Sequence, residues 1–237
     1  MSIAANIASI HERIAAAARR AGRNPDKIAL MAVTKTHPPE RIREAYRVGQ
    51  RLFGENRVQD FATKAAALAD LHAAEWHMIG HLQTNKAAKA VELFRTVDSV
   101  DSLKLAEKLD AAARSLGRKL EVLIEINVGG ESAKSGVVPD SPALEELLHA
   151  APRLEALAFR GLMTVPPFSD DPQDARPYFR KLRELRDTIA SRSLPAITLD
   201  QLSMGMSHDF EVAIEEGSTC VRIGTAAFGE RTGTQKP

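Results

Sequence analysis

Short apolar runs, each long enough for one strand, recur at Ile28–Thr34, Arg51–Gly54, Trp76–Gly80, Thr96–Val100, Leu120–Asn127, Leu157–Met163, Ala196–Leu202 and Thr219–Ile223. Between them lie alanine- and leucine-rich segments whose apolar positions repeat at helical spacing among Arg, Lys and Glu: Pro39–Val48, Val58–Leu71, Leu103–Leu116, Ala143–Ala150 and Ala175–Ser191. Strand then helix, repeated, predicts a parallel sheet. Open doubly wound sheets share that alternation, but eight units without a domain-scale linker favour closure. The pattern therefore predicts an α/β fold, a (β/α)8 TIM barrel forming a single domain over residues 1–237. Residues 2–22 read as a soluble helix rather than a leader, because Glu12 and Arg13 interrupt the alanines. Little chain follows Gly229, so this extra N-terminal helix is expected to fill the slot of an eighth outer helix. The proline- and aspartate-rich stretch Val165–Pro177 reads as a surface loop over the barrel mouth. On the fifth strand, Val122, Ile124 and Ile126 alternate with Glu121, Leu123, Glu125 and Asn127; if the apolar face packs on the outer helices, the polar set lines the barrel interior.

Charge narrows the choice of partner. With 32 Lys and Arg against 31 Asp and Glu, the net charge of +1 creates no field that gathers nucleic acid or an anionic membrane. No stretch approaches the ~20 apolar residues of a membrane span. The one cysteine, Cys220, lies inside an apolar run and reads as a buried core residue; the expected compartment is the cytoplasm.

Candidate chemistry gathers at the predicted strand ends. Ser203-Met-Gly-Met-Ser207 and Gly224-Thr225 each follow an apolar run, so both fall where barrels of this kind bind phosphate, after strands seven and eight. Backbone N–H groups converge there on an anion, glycine lets the chain approach, and hydroxyls add donors. Lys35 ends the first strand, where loss of water favours a neutral, nucleophilic amine; the plainer reading is a lysine capping a strand in water. Arg222 lies within the eighth strand, which closure places beside the first, and a guanidinium there needs a partner. Phosphate loops, lysine and arginine together describe a site for pyridoxal 5′-phosphate bonded to Lys35, with Arg222 facing the ring nitrogen. His77 and Asn56, near the ends of strands three and two, are expected to border the cavity. A sugar phosphate held by an aldolase-type lysine shares the same parts. Lys86, Lys89 and Lys134, with Ser135-Gly136, suit either a basic rim for delivering the cofactor or plain solvated surface charge, and His208-Asp209 suits either metal binding or a loop with a helix cap; no cluster has convincing metal-ligand spacing, so no metal is expected.

Seven segments carry a family resemblance: Ala32-Val-Thr-Lys35-Thr-His-Pro, Phe53-Gly-Glu-Asn56, Trp76-His-Met-Ile-Gly-His-Leu-Gln-Thr-Asn-Lys86, Glu131-Ser-Ala-Lys-Ser-Gly136, Gly161-Leu-Met163, Leu202-Ser-Met-Gly-Met-Ser-His-Asp209 and Val221-Arg-Ile-Gly224. From about Ile28 to Arg231 the chain closely resembles the YggS/PROSC family of pyridoxal-phosphate homeostasis proteins. The resemblance implies a barrel of the alanine racemase N-terminal-domain type with the cofactor covalent on Lys35. It further implies Asn56 near the ring hydroxyl, Ser203, Ser207, Gly224 and Thr225 on the phosphate, Arg222 at the ring nitrogen, and His77 and Met163 as pocket lining. Alanine racemase adds a C-terminal β domain and a tyrosine base from a partner subunit. The tyrosines here, Tyr46 and Tyr178, fall in predicted outer helices. The expected function is accordingly a non-catalytic carrier that keeps the free aldehyde low and passes it to pyridoxal-phosphate-dependent apo-enzymes. The alternative is a racemase-like enzyme in which Lys35 works with His77, His81 or a water. No interface motif is conspicuous, so a monomer is expected.

Overall fold

Eight parallel strands close into one barrel in chain order in a computed structural model that describes residues 2–131 and 134–229. They are β1 (Ala29–Val33), β2 (Leu52–Glu55), β3 (Glu75–Met78), β4 (Thr96–Val100), β5 (Leu120–Glu125), β6 (Leu157–Met163), β7 (Ile197–Ser203) and β8 (Cys220–Ile223). Each matches one apolar run of the sequence, as strands covered on both faces should. The ends shift by one or two residues for local reasons. Ala196, for instance, sits at φ +63, outside strand geometry, so β7 starts at Ile197. Closure is direct, with Ala29 to Ala32 of β1 in register with Cys220 to Ile223 of β8.

The outer layer comprises α1 (Ile3–Arg20), α2 (Pro39–Arg47), α3 (Val58–Ala65), α4 (Ala87–Leu93), α5 (Leu103–Ser115), α6 (Pro142–Ala150), α7 (Arg176–Ser191), α8 (Phe210–Glu215) and α9 (Thr225–Phe228). Serine starts three of them by accepting a backbone N–H: Ser2 from Ala5, Ser102 from Leu105 and Ser141 from Leu144. α1 buries Ile3, Ile7, Ile10 and Ile14 on one stripe and packs on α8, α9 and α2, filling the outer slot the sequence left open. Two stretches depart from the sequence reading. α3 is shorter than expected and passes into a 3-10 turn at Ala66–Leu68; Val165–Pro177 is loop only as far as Asp171, with α7 taking Pro177 into its first turn. α4 and α9 had no counterpart in the sequence reading.

The main apolar core lies between barrel and helices. Val122, Ile124 and Ile126 point into it, whereas Met31, Leu123, Met163 and Cys220 are buried but separate from it, inside the barrel. The Met31 sulfur would stand 2.7 Å from a Cβ at Gly54, across β1 and β2. Within this narrow interior the odd positions of β1 and β5 form successive layers, ending at the mouth where the chain leaves the sheet. Within the stretch that carries the family resemblance, positions 132–133 and 230–231 lie outside the described residues. No helix among the described residues is long and apolar enough to cross a membrane.

Candidate functional site

The C-terminal strand ends enclose a cavity of about 430 Å³. Val33 and Lys35 reach it from β1, Asn56 from β2, Ile79 and Gly80 from β3, and Val165, Pro167 and Phe168 from the loop after β6; Met206, Ser207 and His208 follow β7, while Arg222, Gly224 and Thr225 come from β8 and its loop. The volume suits a small ligand, and the location is where barrels of this class bind one. Gly205 takes φ +96, and a Cβ there would stand 2.6 Å from that of Ala213, so glycine lets the β7 loop lie down on α8. Gly80 serves a close approach of another kind, since a Cβ there would collide with the Asn56 carbonyl oxygen. The two phosphate-type loops are joined: Ala226 N–H donates to Ser207 Oγ at 3.4 Å, and Arg222 N–H donates to the Gly205 carbonyl at 2.9 Å.

Lys35 stands in a short turn closed by His37 N–H donating to the Thr34 carbonyl, 3.1 Å. Thr36 takes φ +66 there, a left-handed conformation that costs a β-branched residue about 1–3 kcal/mol and persists only where neighbours enforce it. The Lys35 amine makes no hydrogen bond or ion pair with any described residue. Arg222 is 4% exposed, and its guanidinium is held by neutral oxygens: Nη1 donates to the Ser203 carbonyl (2.6 Å) and Oγ (2.8 Å), Nη2 to the Thr164 carbonyl (2.7 Å). Burial holds its pKa below the ordinary arginine value, opposed by the charges of Asp98, Glu125 and Asp209. Two of its five N–H groups remain unspent. Burial likewise pushes Glu125 up to about 7, with Asp101 adding to the rise and Arg222 and His81 opposing it. Asn56 Oδ1 is buried without a hydrogen-bond partner.

Six of the nine expected site residues share this cavity: Lys35, Asn56, Ser207, Arg222, Gly224 and Thr225. Three do not. Ser203 ends β7 with its side chain turned to Arg222, so its hydroxyl accepts the guanidinium and does not face the mouth. Met163 is fully buried in register with Glu125 and Ser203, beneath the cavity. His77 bonds Asp98 Oδ1 through Nδ1 at 2.9 Å and lines a separate cavity of about 490 Å³ at the opposite end of the barrel, with Lys27 and Glu121. Ile79, two residues further along the chain, occupies the rim instead; at ~3.3 Å per strand residue, His77 stands about 7 Å below it. Conversely, His208 and Phe168 line the mouth although the sequence reading assigned them no ligand role. His208 Nε2 is 2.9 Å from the Asp170 carbonyl, which fixes the ring against the β6 loop. Asp209 does not cap α8 with its side chain; Oδ1 accepts Met206 N–H at 2.6 Å and tightens the preceding loop. Among the described residues, no three of His, Cys, Asp and Glu are placed to hold a metal ion. Tyr46 lies on α2, stacked under Arg51, and Tyr178 lies on α7; neither lines the mouth.

Residues 5–232 match the family model described as the N-terminal domain of alanine racemase. A pyridoxal phosphate homeostasis protein of Aquifex aeolicus (strain VF5) is 48% identical over 231 residues, covering 98% of this chain and 99% of that protein. One from Escherichia coli (strain K12) is 41% identical over 236 residues, 99% of each chain. Among solved structures, PipY of Synechococcus elongatus with PLP bound superposes with a TM-score of 0.81 at 38% identity, covering 96% of this chain and all (100%) of PipY. Alanine racemase of Clostridium difficile 630, at 17% identity and a TM-score of 0.71, shares the fold over 98% of this chain and 57% of its own.

Proposed function

Given that this chain belongs to the pyridoxal phosphate homeostasis proteins, built on the alanine racemase N-terminal domain fold, we propose that it holds pyridoxal 5′-phosphate on Lys35 as a carrier without catalytic turnover. The observation that carries the reading is an unpaired lysine amine in one cavity with two linked Gly/Ser/Thr loops. With the cofactor bound, the Lys35 amine would be the group placed to bond its aldehyde carbon, water being the leaving group. Ser207, Gly224 and Thr225 take the phosphate through hydroxyls and backbone N–H groups. At Gly224 a Cβ would make only ordinary van der Waals contact with Val33, at 3.6 Å, so packing alone does not require glycine there. The orphan acceptor Asn56 Oδ1 suits a ring hydroxyl, and the unspent N–H groups of Arg222 suit an unprotonated ring nitrogen. Bound there, the cofactor supplies an electrophilic aldehyde and an electron-accepting ring; a permanent cation at the ring nitrogen weakens the second property and leaves the first. That balance fits storage better than carbanion chemistry. The recipients in this reading are pyridoxal-phosphate-dependent apo-enzymes, and the working form is a cytoplasmic monomer.

The test is the visible spectrum of the purified protein with added pyridoxal phosphate, beside Lys35→Ala, followed by borohydride reduction and peptide mapping. A yellow imine band fixed at Lys35 and lost in the variant is expected. A band that persists in Lys35→Ala, or none in the wild type, overturns the assignment and returns the cavity to a sugar phosphate.

One observation favours a second reading, a racemase-like enzyme. His208 lines the same cavity as Lys35 and could serve as a second acid or base. The two readings separate on exchange of an amino acid's α-proton with deuterated solvent. Exchange lost in His208→Ala would establish turnover, and the carrier reading expects no acceleration over free pyridoxal phosphate.

A further inference from the structure

Outside the barrel, directly behind Lys35, sits a buried ion pair that does not line the cavity. Glu55 Oε1 lies 2.6 Å from Lys64 Nζ of α3, with Glu55 fully buried and the Lys64 side chain 10% exposed. The same carboxylate oxygen accepts the Thr34 hydroxyl at 2.5 Å. Lys64 Nζ also donates to the carbonyls of Thr34 (3.0 Å) and His37 (3.3 Å), so its three N–H groups are all accounted for. Those two carbonyls bracket Lys35 and Thr36, the segment in which Thr36 is forced to φ +66. A second brace acts from the other side, where the His37 ring stacks on Phe228 of α9 at 4.5 Å. Glu55 is moreover the chain neighbour of Asn56, so one network behind the wall brackets Lys35 on both sides and adjoins Asn56 on one.

The structure assigns Glu55 and Lys64 as positioning residues for the Lys35 amine, an inference that rests on Lys35 being the attachment point proposed above. Helix attachment alone needs one contact between Lys64 and the sheet. It does not account for an ammonium spread over both carbonyls of a strained turn while its counter-ion holds the hydroxyl at the start of that turn. The network fixes where the Lys35 side chain leaves the backbone, and therefore how often its amine meets the aldehyde of a ligand already seated by its phosphate. Small displacements of a reacting group carry large penalties.

The experiment compares two ligands on the full chain: pyridoxal phosphate, and pyridoxine 5′-phosphate, which carries an alcohol in place of the aldehyde. Their affinity quotient isolates what the bond to Lys35 adds, because phosphate and ring contacts are common to both. In the wild type the quotient is expected to exceed one. Lys64→Met is expected to lower it about tenfold, with pyridoxine phosphate affinity within about twofold of wild type. Thr34→Val, which keeps the shape and the ion pair, is expected to lower it by a smaller factor. If both ligands weaken in parallel and the quotient holds, the ion pair is structural only and the positioning role is overturned while attachment stands. A wild-type quotient of one overturns attachment itself, and with it any positioning of it. Should Lys64→Met leave Glu55 unpaired and the protein unfolded, the quotient for Thr34→Val decides alone: unchanged, it overturns the assignment.

Discussion

Ser203 and Ser207 stand four residues apart in one loop region and do different work. Strand geometry turns Ser203 inward, where its hydroxyl and carbonyl hold Arg222; Ser207, past the strand, faces the mouth and ties the two loops together. Two substitutions separate these roles. Ser207→Ala is expected to weaken pyridoxal phosphate binding by about 1 kcal/mol, near fivefold, with little change in stability. Ser203→Ala is expected to cost about 1–3 kcal/mol of folding stability, because a charged buried donor loses its acceptor. Ligand titration and urea unfolding measure both, and a reversal of the pattern would return Ser203 to the phosphate. The difference shows which parts of the site sequence can convey. Lys35, Asn56, Gly224 and Thr225 follow immediately on strand ends, so placing the strand places the residue. His77 and Met163 lie within strands, where depth depends on how far each strand is staggered around the barrel, a property of closure that no local pattern records. His208 was missed for a third reason: a loop has no periodicity, and only the β6 loop packed against the ring directs it to the cavity.

Among the elements, α1 is set apart by its position rather than its composition. It precedes the first strand yet completes the outer layer on α8, α9 and α2. Its isoleucine stripe is buried to 4% exposure or less, so Ile10→Ala is expected to cost about 2–5 kcal/mol in urea unfolding. A loss below about 1 kcal/mol would mean that α1 only rests on the barrel. The strands were legible because burial on both faces makes each a near-continuous apolar run, and the long helices because several turns reveal their period. α4 has seven residues and α9 four, too few for a period to show. The sequence suggested Asp209 as a side-chain cap of α8; in the fold, the nearer donor at Met206 wins its carboxylate. Proximity in space decided that choice, and the loop that creates it depends on Gly205.

At the scale of the whole molecule, charge is nearly balanced, yet it is not evenly placed. Glu216 at the end of α8 takes Arg176, Arg180 and Arg183 of α7, while Glu125 is left inside the barrel without a direct partner for Oε2. The native pKa of Glu125, about 7, lies above its ordinary value of 4.5, so the folded state keeps a proton that the unfolded chain releases across that interval. Its contribution to stability is complete below pH 4.5 and is lost as pH rises through 7, up to about 3 kcal/mol in all. Glu125→Gln cannot ionise. Between pH 5 and 8, wild-type stability is expected to fall relative to this variant in urea unfolding, whereas parallel profiles would mean that the carboxyl titrates normally. The seam between β1 and β8 has a different consequence, in the order of synthesis. Lys35 and Thr225 share a cavity only when the last strand pairs with the first, so a ribosome must release nearly the whole barrel before a ligand has anywhere to bind. A ligand that binds only the closed form stabilises only finished molecules. Binding at this cavity therefore separates a finished barrel from an incomplete or misclosed one, which has no such cavity to offer.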